Sequence, residues 1–272
     1  MSSGLTVILI LILLSFLPAI AYLAWVRKSE RYNQEGWAPL LRSFLFGALI
    51  STFISGVLEL ILQAVYSTVV QPDISSVPQG ATNAYLVLAI VIAPLVEEGM
   101  KGLGVYASRN NFRYVADGLV FGAAVGFGFG FVENTLYGLS ALQEAGFAAA
   151  IATLFVRAIS SVLLHGSATA MTGYGVAENS LHEGRGHVLA GYYFLAVLMH
   201  ATFNALASLP YLLPQYWVNK IGLDLLSLIS LLLAIAYAMS AFSHIRNRIA
   251  ELQFQPLRAS SMSPATMPRI RR

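Results

Sequence analysis

Long, nearly uncharged stretches recur along the chain, and each reaches or exceeds the ~20 residues a helix needs to cross a bilayer. They run approximately Gly4 to Val26, Pro39 to Val69, Thr82 to Ala107, Tyr114 to Leu139, Phe147 to Ala177, Val188 to Leu209 and Ile221 to Ser243. With 57% hydrophobic and 11% charged residues, the chain lies far from soluble domains, which are about 25% charged. It reads as an all-α polytopic membrane protein of about seven transmembrane helices. The absence of cysteine excludes disulfides, thiolate metal sites and a cysteine nucleophile, leaving Glu, Asp, His, Ser and Lys to carry chemistry.

The bases report orientation. Arg27, Lys28, Arg31, Arg42, Arg109, Arg113, Arg185 and the arginines from Arg246 onward all fall on one side of the expected bundle, with Lys220 alone on the other. The positive-inside rule then places the N-terminus outside and the C-terminus in the cytoplasm. The net charge of +3 is therefore a topology signal, and no nucleic-acid partner is expected. Ala19-Ile20-Ala21 resembles a signal-peptidase site. No base precedes the apolar run, however, so the first span is expected to remain as an anchor. Residues 1–252 are expected to form one helical membrane domain with its motif-bearing core at about 85–205, and 253–272 a basic disordered cytoplasmic tail.

Eight ionisable residues fall inside the expected hydrocarbon: Glu59, Glu97, Glu98, Lys101, Glu133, Arg157, His165 and His200. There an ionised group costs roughly 2.5–3.5 kcal/mol even on insertion scales. Four carboxylates face two permanent cations, so protons, water or a bound metal must offset the remainder. At ~1.5 Å per residue, Glu97, Glu98, His165 and His200 all lie roughly 15–18 Å from the cytoplasmic boundary and can meet. Glu133 falls at or above that level. Residues four apart share a helix face, so Lys101 can hold Glu97, Glu98 or both. The same spacing makes polar stripes of Arg157, Ser161, His165, Thr169 and Gly173, of His200 and Asn204, and of Ser51, Ser55, Glu59 and Gln63. Glu59 and Arg157 lie at similar depths and are expected to pair. Pro94 removes a backbone donor and frees the carbonyl of Ile90, a local opening.

Gly118, Gly122, Gly126 and Gly130 form a small-xxx-small ladder that invites close approach of another helix. The segment from His182 to His187 has its histidines five apart among glycines, and reads as a solvated loop rather than a zinc helix. No Gly-x-Ser-x-Gly elbow, Gly-x-Gly-Asp signature, His-Glu-x-x-His helix or P-loop is present.

Glu97-Glu98-Gly-Met-Lys101, Phe129-Gly-Phe-Val-Glu133-Asn134, Arg157 followed by His165, and His200-Ala-Thr-Phe-Asn204 resemble, in order, the four motifs of the PrsW family of intramembrane proteases. That family is related to the CPBP group and the prenyl-protein proteases. The resemblance covers about residues 85 to 205. It implies a multi-pass endopeptidase of a bacterial plasma membrane that clips single-span membrane proteins such as anti-sigma factors. Carried over position by position, Glu97 and Glu98 correspond to the essential pair, His165 and His200 to the motif histidines, and Glu133 to the second motif's acid. Asn204 stands where an acid is frequent.

Peptide hydrolysis needs a base for water, donors for the oxyanion and an acid for the amine. One of Glu97 and Glu98 suits the base, and His165 or His200 with Asn204 suits the oxyanion. Lys101 and Arg157 serve as supporting charges. A divalent metal such as zinc, held by ligands drawn from Glu98, His165 and His200, meets the same need, and spacing alone leaves both routes open. The competing classes are a proton- or ion-coupled transporter, which the lack of an internal repeat disfavours, and a catalytically silent scaffold or immunity protein.

Overall fold

The computed structural model describes residues 2–30, 34–69, 85–182 and 184–252, and among these the regular structure is helical throughout. The chain forms α1 (Ser2–Ser29), α2 (Trp37–Leu45) running through a π-helical turn (Phe46–Ser51) into α3 (Thr52–Val69), and a second π-helical turn (Leu88–Ile92) leading into α4 (Ala93–Ala107). It continues as α5 (Val115–Ala145), α6 (Phe147–Ala158), α7 (Ser161–Leu181), α8 (Gly186–Ala207), two short helices α9 (Leu209–Leu212) and α10 (Gln215–Ile221), and α11 (Leu223–Leu252).

Six helical stretches among the described residues are long and apolar enough to cross a membrane: Gly4–Ser29, Trp37–Tyr66, Val115–Ala145, Phe147–Leu181, Gly186–Ala207 and Leu223–Leu252. The expected third span begins outside the described residues. Its described part carries Glu97, Glu98 and Lys101 on α4 and is not among the six. The tail expected at 253–272 also lies outside the described residues. The expected fifth span is divided, α6 ending at Ala158 and α7 beginning at Ser161.

Burial ranks the helices. Over its most apolar window α5 is 83% buried, whereas the other five stretches lie between 17% and 44%; α5 is the central post and the others face lipid. Glycine makes this position possible. A Cβ at Gly118, Gly122 or Gly126 would strike the backbone of α7 at Gly173, Thr169 or His165, and one at Gly128 would strike Phe44 on the opposite side. The expected packing groove is thus occupied by the helix that carries His165. α5 begins on a capping box, in which the Asp117 carboxylate accepts from the backbone N–H groups of Arg113 (2.6 Å) and Tyr114 (2.9 Å). α1 lays Ala19, Leu23 and Val26 into the core beside Phe121, Val125 and Phe127 of α5.

Candidate active site

Side chains of α4, α5 and α7 meet on one ammonium group, and His200 of α8 joins them through Glu98. Lys101 Nζ donates to Glu97 Oε2, Glu98 Oε1 and His165 Nδ1, each at 2.9 Å. Lys101 and Glu98 are wholly buried. α4 supplies Glu97, Glu98 and Lys101 from a single turn, as the spacing requires, and α7 and α8 bring the histidines. The rings of His165 and His200 lie edge to face, with centroids 4.9 Å apart. Phe129 of α5 closes the ammonium's remaining side, its ring centre 3.9 Å from Nζ, a cation–π contact in a water-poor setting.

Hydrogen bonding fixes the imidazole protons. An ammonium only donates, so His165 Nδ1 accepts and its Nε2 carries the proton, which goes to Glu133 Oε2 at 2.6 Å. Glu98 Oε1 accepts from His200 Nδ1 at 3.1 Å, and Glu98 Oε2 accepts from the Thr169 hydroxyl at 3.0 Å. Both oxygens of Glu98 are therefore engaged. Glu97 differs: its Oε2 takes Lys101 and stands 3.9 Å from Nδ1 of each histidine, and its side chain keeps 8% of its surface open.

Glu133 is bound by charge as well, because Arg157 Nη2 reaches its Oε2 at 2.7 Å. Arg157 also donates to Asn134 Oδ1 and to the Ser161 hydroxyl, each at 2.9 Å, and Tyr137 stacks beneath it. The expected Glu59–Arg157 pair is not formed. Arg157 ends α6, which packs on α5, whereas Glu59 belongs to α3, which packs on α4; similar depth did not make them neighbours.

Asn204 is not directed at this cluster. Its Nδ2 donates to the carbonyl oxygen of Ala89 at 2.7 Å. That carbonyl belongs to the π-helical turn just before Pro94, one residue before the Ile90 carbonyl that the sequence points to. Thr169, Ser161 and Phe129 join the site without having been assigned a role. Thr169 and Ser161 sit four residues either side of His165, and that stripe was the available signal.

Three donors, Glu97, His165 and His200, present atoms all within 4.8 Å of one another. This group contains Glu97 beside the two histidines, whereas the spacing offers Glu98 with them. One carboxylate and two imidazoles form a donor set that zinc accepts in hydrolases, and two of the donors, Glu97 and His165, already hold one cation, the Lys101 ammonium. His165 is further oriented by Glu133 on its far nitrogen, the outer-shell arrangement usual for a metal-bound imidazole. The residues fit a divalent metal.

A family model described as PrsW family intramembrane metalloprotease matches residues 35–239. The chain belongs to the PrsW family. It is an intramembrane protease, hence a hydrolase, and a multi-pass membrane protein. Among curated relatives, Protease PrsW of Clostridioides difficile (strain 630) is 27% identical over 208 residues, 74% of this chain and 80% of that protein. Protease PrsW of Geobacillus kaustophilus (strain HTA426) is 26% identical over 214 residues, covering 78% and 84%. Protease PrsW of Shouchella clausii (strain KSM-K16) is 28% identical over 138 residues, covering 50% and 57%. No solved structure matches the chain. The matched residues include α4, α5, α7 and α8, the helices that carry the cluster around Lys101.

Proposed function

We propose that this PrsW protein hydrolyses a peptide bond of single-span membrane proteins at the cluster around Lys101, with Glu97 as the group that meets the attacking water. The supporting observation is the unequal state of the two neighbouring glutamates. Glu98 spends both oxygens on Lys101, His200 and Thr169, so it orients the site. Glu97 retains an exposed edge and faces both imidazoles. Such a carboxylate can take a proton from water as the oxygen attacks the carbonyl carbon. His200, held through Nδ1 by Glu98, would in the protonated ring donate from its other nitrogen to the developing oxyanion. The same proton can pass to the amine nitrogen as the C–N bond breaks. His165 is kept in register by Glu133 and Lys101.

Glu97, His165 and His200 would hold a divalent ion, which when bound acidifies water and polarises a carbonyl. In either case Lys101 and Arg157 serve the same end. Three carboxylates, Glu97, Glu98 and Glu133, face one ammonium and one guanidinium, and one negative charge remains for a proton or cation to cancel.

The test is cleavage of a tagged single-span substrate in cells. Glu97→Gln is expected to lower the rate by about 10²-fold or more, the usual contribution of a positioned acid or base. Processing at the wild-type rate in both Glu97→Gln and His165→Ala would overturn the proposal. Purified enzyme stripped by chelator is expected to lose activity and to regain it with a divalent cation; activity undiminished by chelation would dismiss the metal form while leaving the acid–base form standing.

A further inference from the structure

A groove of about 530 Å³ lies between α7, α8 and α11 at the end of the bundle to which the basic connections belong, lined by Met171, Val188, Gly191, Tyr192, Leu195, His244 and Arg248. Its origin is local. On α11, Ile245 and Ile249 are fully buried in the core, so His244 and Arg248, each one residue earlier and about 100° around the helix, project from the neighbouring face into the groove. On the facing wall Gly191 contributes no side chain, and a Cβ built there would meet nothing within 4 Å. Tyr174 and Tyr192, with ring centres 4.5 Å apart, close one side. The floor is apolar and the mouth is basic.

The groove has the volume of a small-molecule site and the character of one end of a lipid. Leu195 lies about 10 Å deeper along α8 than Val188, at ~1.5 Å per residue, while Arg248 stands near the helix end where headgroups begin. Among the described residues the Arg248 guanidinium pairs with Glu251 at 3.0 Å, in an exposed pair of the kind that contributes little. Beyond α11 the sequence adds Arg258, Arg269, Arg271 and Arg272. Basic pockets between transmembrane helices at such an interface suit anionic headgroups.

We propose that the groove binds a phospholipid with an anionic headgroup, an acyl chain running along Met171, Gly191 and Leu195 and the phosphate resting at Arg248 and His244. Met171 and Leu195 stand on the helices that carry His165 and His200, so the lipid is wedged between the two histidine-bearing elements. Neither residue takes part in hydrolysis. The site therefore stands apart from the water-activating cluster.

The experiment is native mass spectrometry of the full-length protein released from vesicles of equal phosphatidylglycerol and phosphatidylcholine with matched chains, with and without inorganic phosphate. Wild type is expected to retain phosphatidylglycerol in preference. Arg248→Gln with His244→Gln is expected to lower that retention about fivefold, the factor for one basic side chain at an anionic surface, and to leave phosphatidylcholine unchanged. Gly191→Phe, which fills open space, is expected to abolish retention. Gly191→Leu makes the same comparison should the larger side chain prevent accumulation. Equal retention of both lipids by wild type, undiminished phosphatidylglycerol on the filled groove, or capture of inorganic phosphate in place of lipid would each overturn the proposal.

Discussion

Glu97 and Glu98 are adjacent in sequence yet meet different surroundings, and the difference comes from the helices on either side. Glu98 is reached by Thr169 and His200 from α7 and α8. A hydrogen bond to a charged group contributes about 1.5–3 kcal/mol, so Thr169→Val is expected to lower cleavage roughly tenfold or more. Thr169→Ser, which keeps the hydroxyl, should stay close to wild type in the same assay. A second residue-scale prediction concerns Glu30, just beyond the end of α1. Burial, with Asp117 and Glu35 nearby, pushes its carboxyl up to about 8, against the opposing Glu35 backbone N–H and Arg113. The folded chain thus holds a proton that the unfolded chain releases in the ordinary carboxylate range, and stability falls as pH rises from that range to about 8. Glu30→Gln removes the dependence. Its melting temperature, relative to wild type, is expected to be higher at pH 8 than at pH 5. Spacing made the Lys101 grip on both glutamates legible before any coordinates. The Glu133–Arg157 bond was not legible, because depth along a helix says nothing about which helices are adjacent.

At the scale of elements, the glycine ladder of α5 could be read directly, since four glycines at intervals of four can serve only one face. What the sequence left open was the partner. Only the packed chain pairs Gly118, Gly122 and Gly126 with α7, and sets Gly128 against Phe44 on the other side. Gly126→Val would drive a branched side chain into the His165 backbone. It is expected to abolish accumulation of folded protein, measured as the monodisperse fraction after detergent extraction, whereas Gly191→Leu on open surface should leave that fraction unchanged. The division of the fifth span into α6 and α7 was missed because Ile159 and Ser160 carry neither proline nor glycine, and no propensity marks them as a break. The π-helical turn before α4 was partly legible from Pro94. Its tether, the Asn204 amide on the Ala89 carbonyl, links residues far apart in the chain and left no local trace.

Across the whole molecule, the bases that end α1, precede α5 and follow α11 are expected on the cytoplasmic side. A reporter active only outside the membrane is expected to stay silent when fused after Arg272 and to work when fused at Met1; the reverse pattern would invert the topology. The bare contact between α5 and its neighbours on both flanks has a mechanical consequence. Where main chain rests on main chain, there are no rotamers to swing aside, and space for an incoming peptide cannot be made at the hub. The room has to come from the lipid-facing perimeter, where α3 and α11 show most of their surface outward. The chain is accordingly built as a rigid axle with a yielding rim, and variants that alter how fast substrates enter should map to the rim.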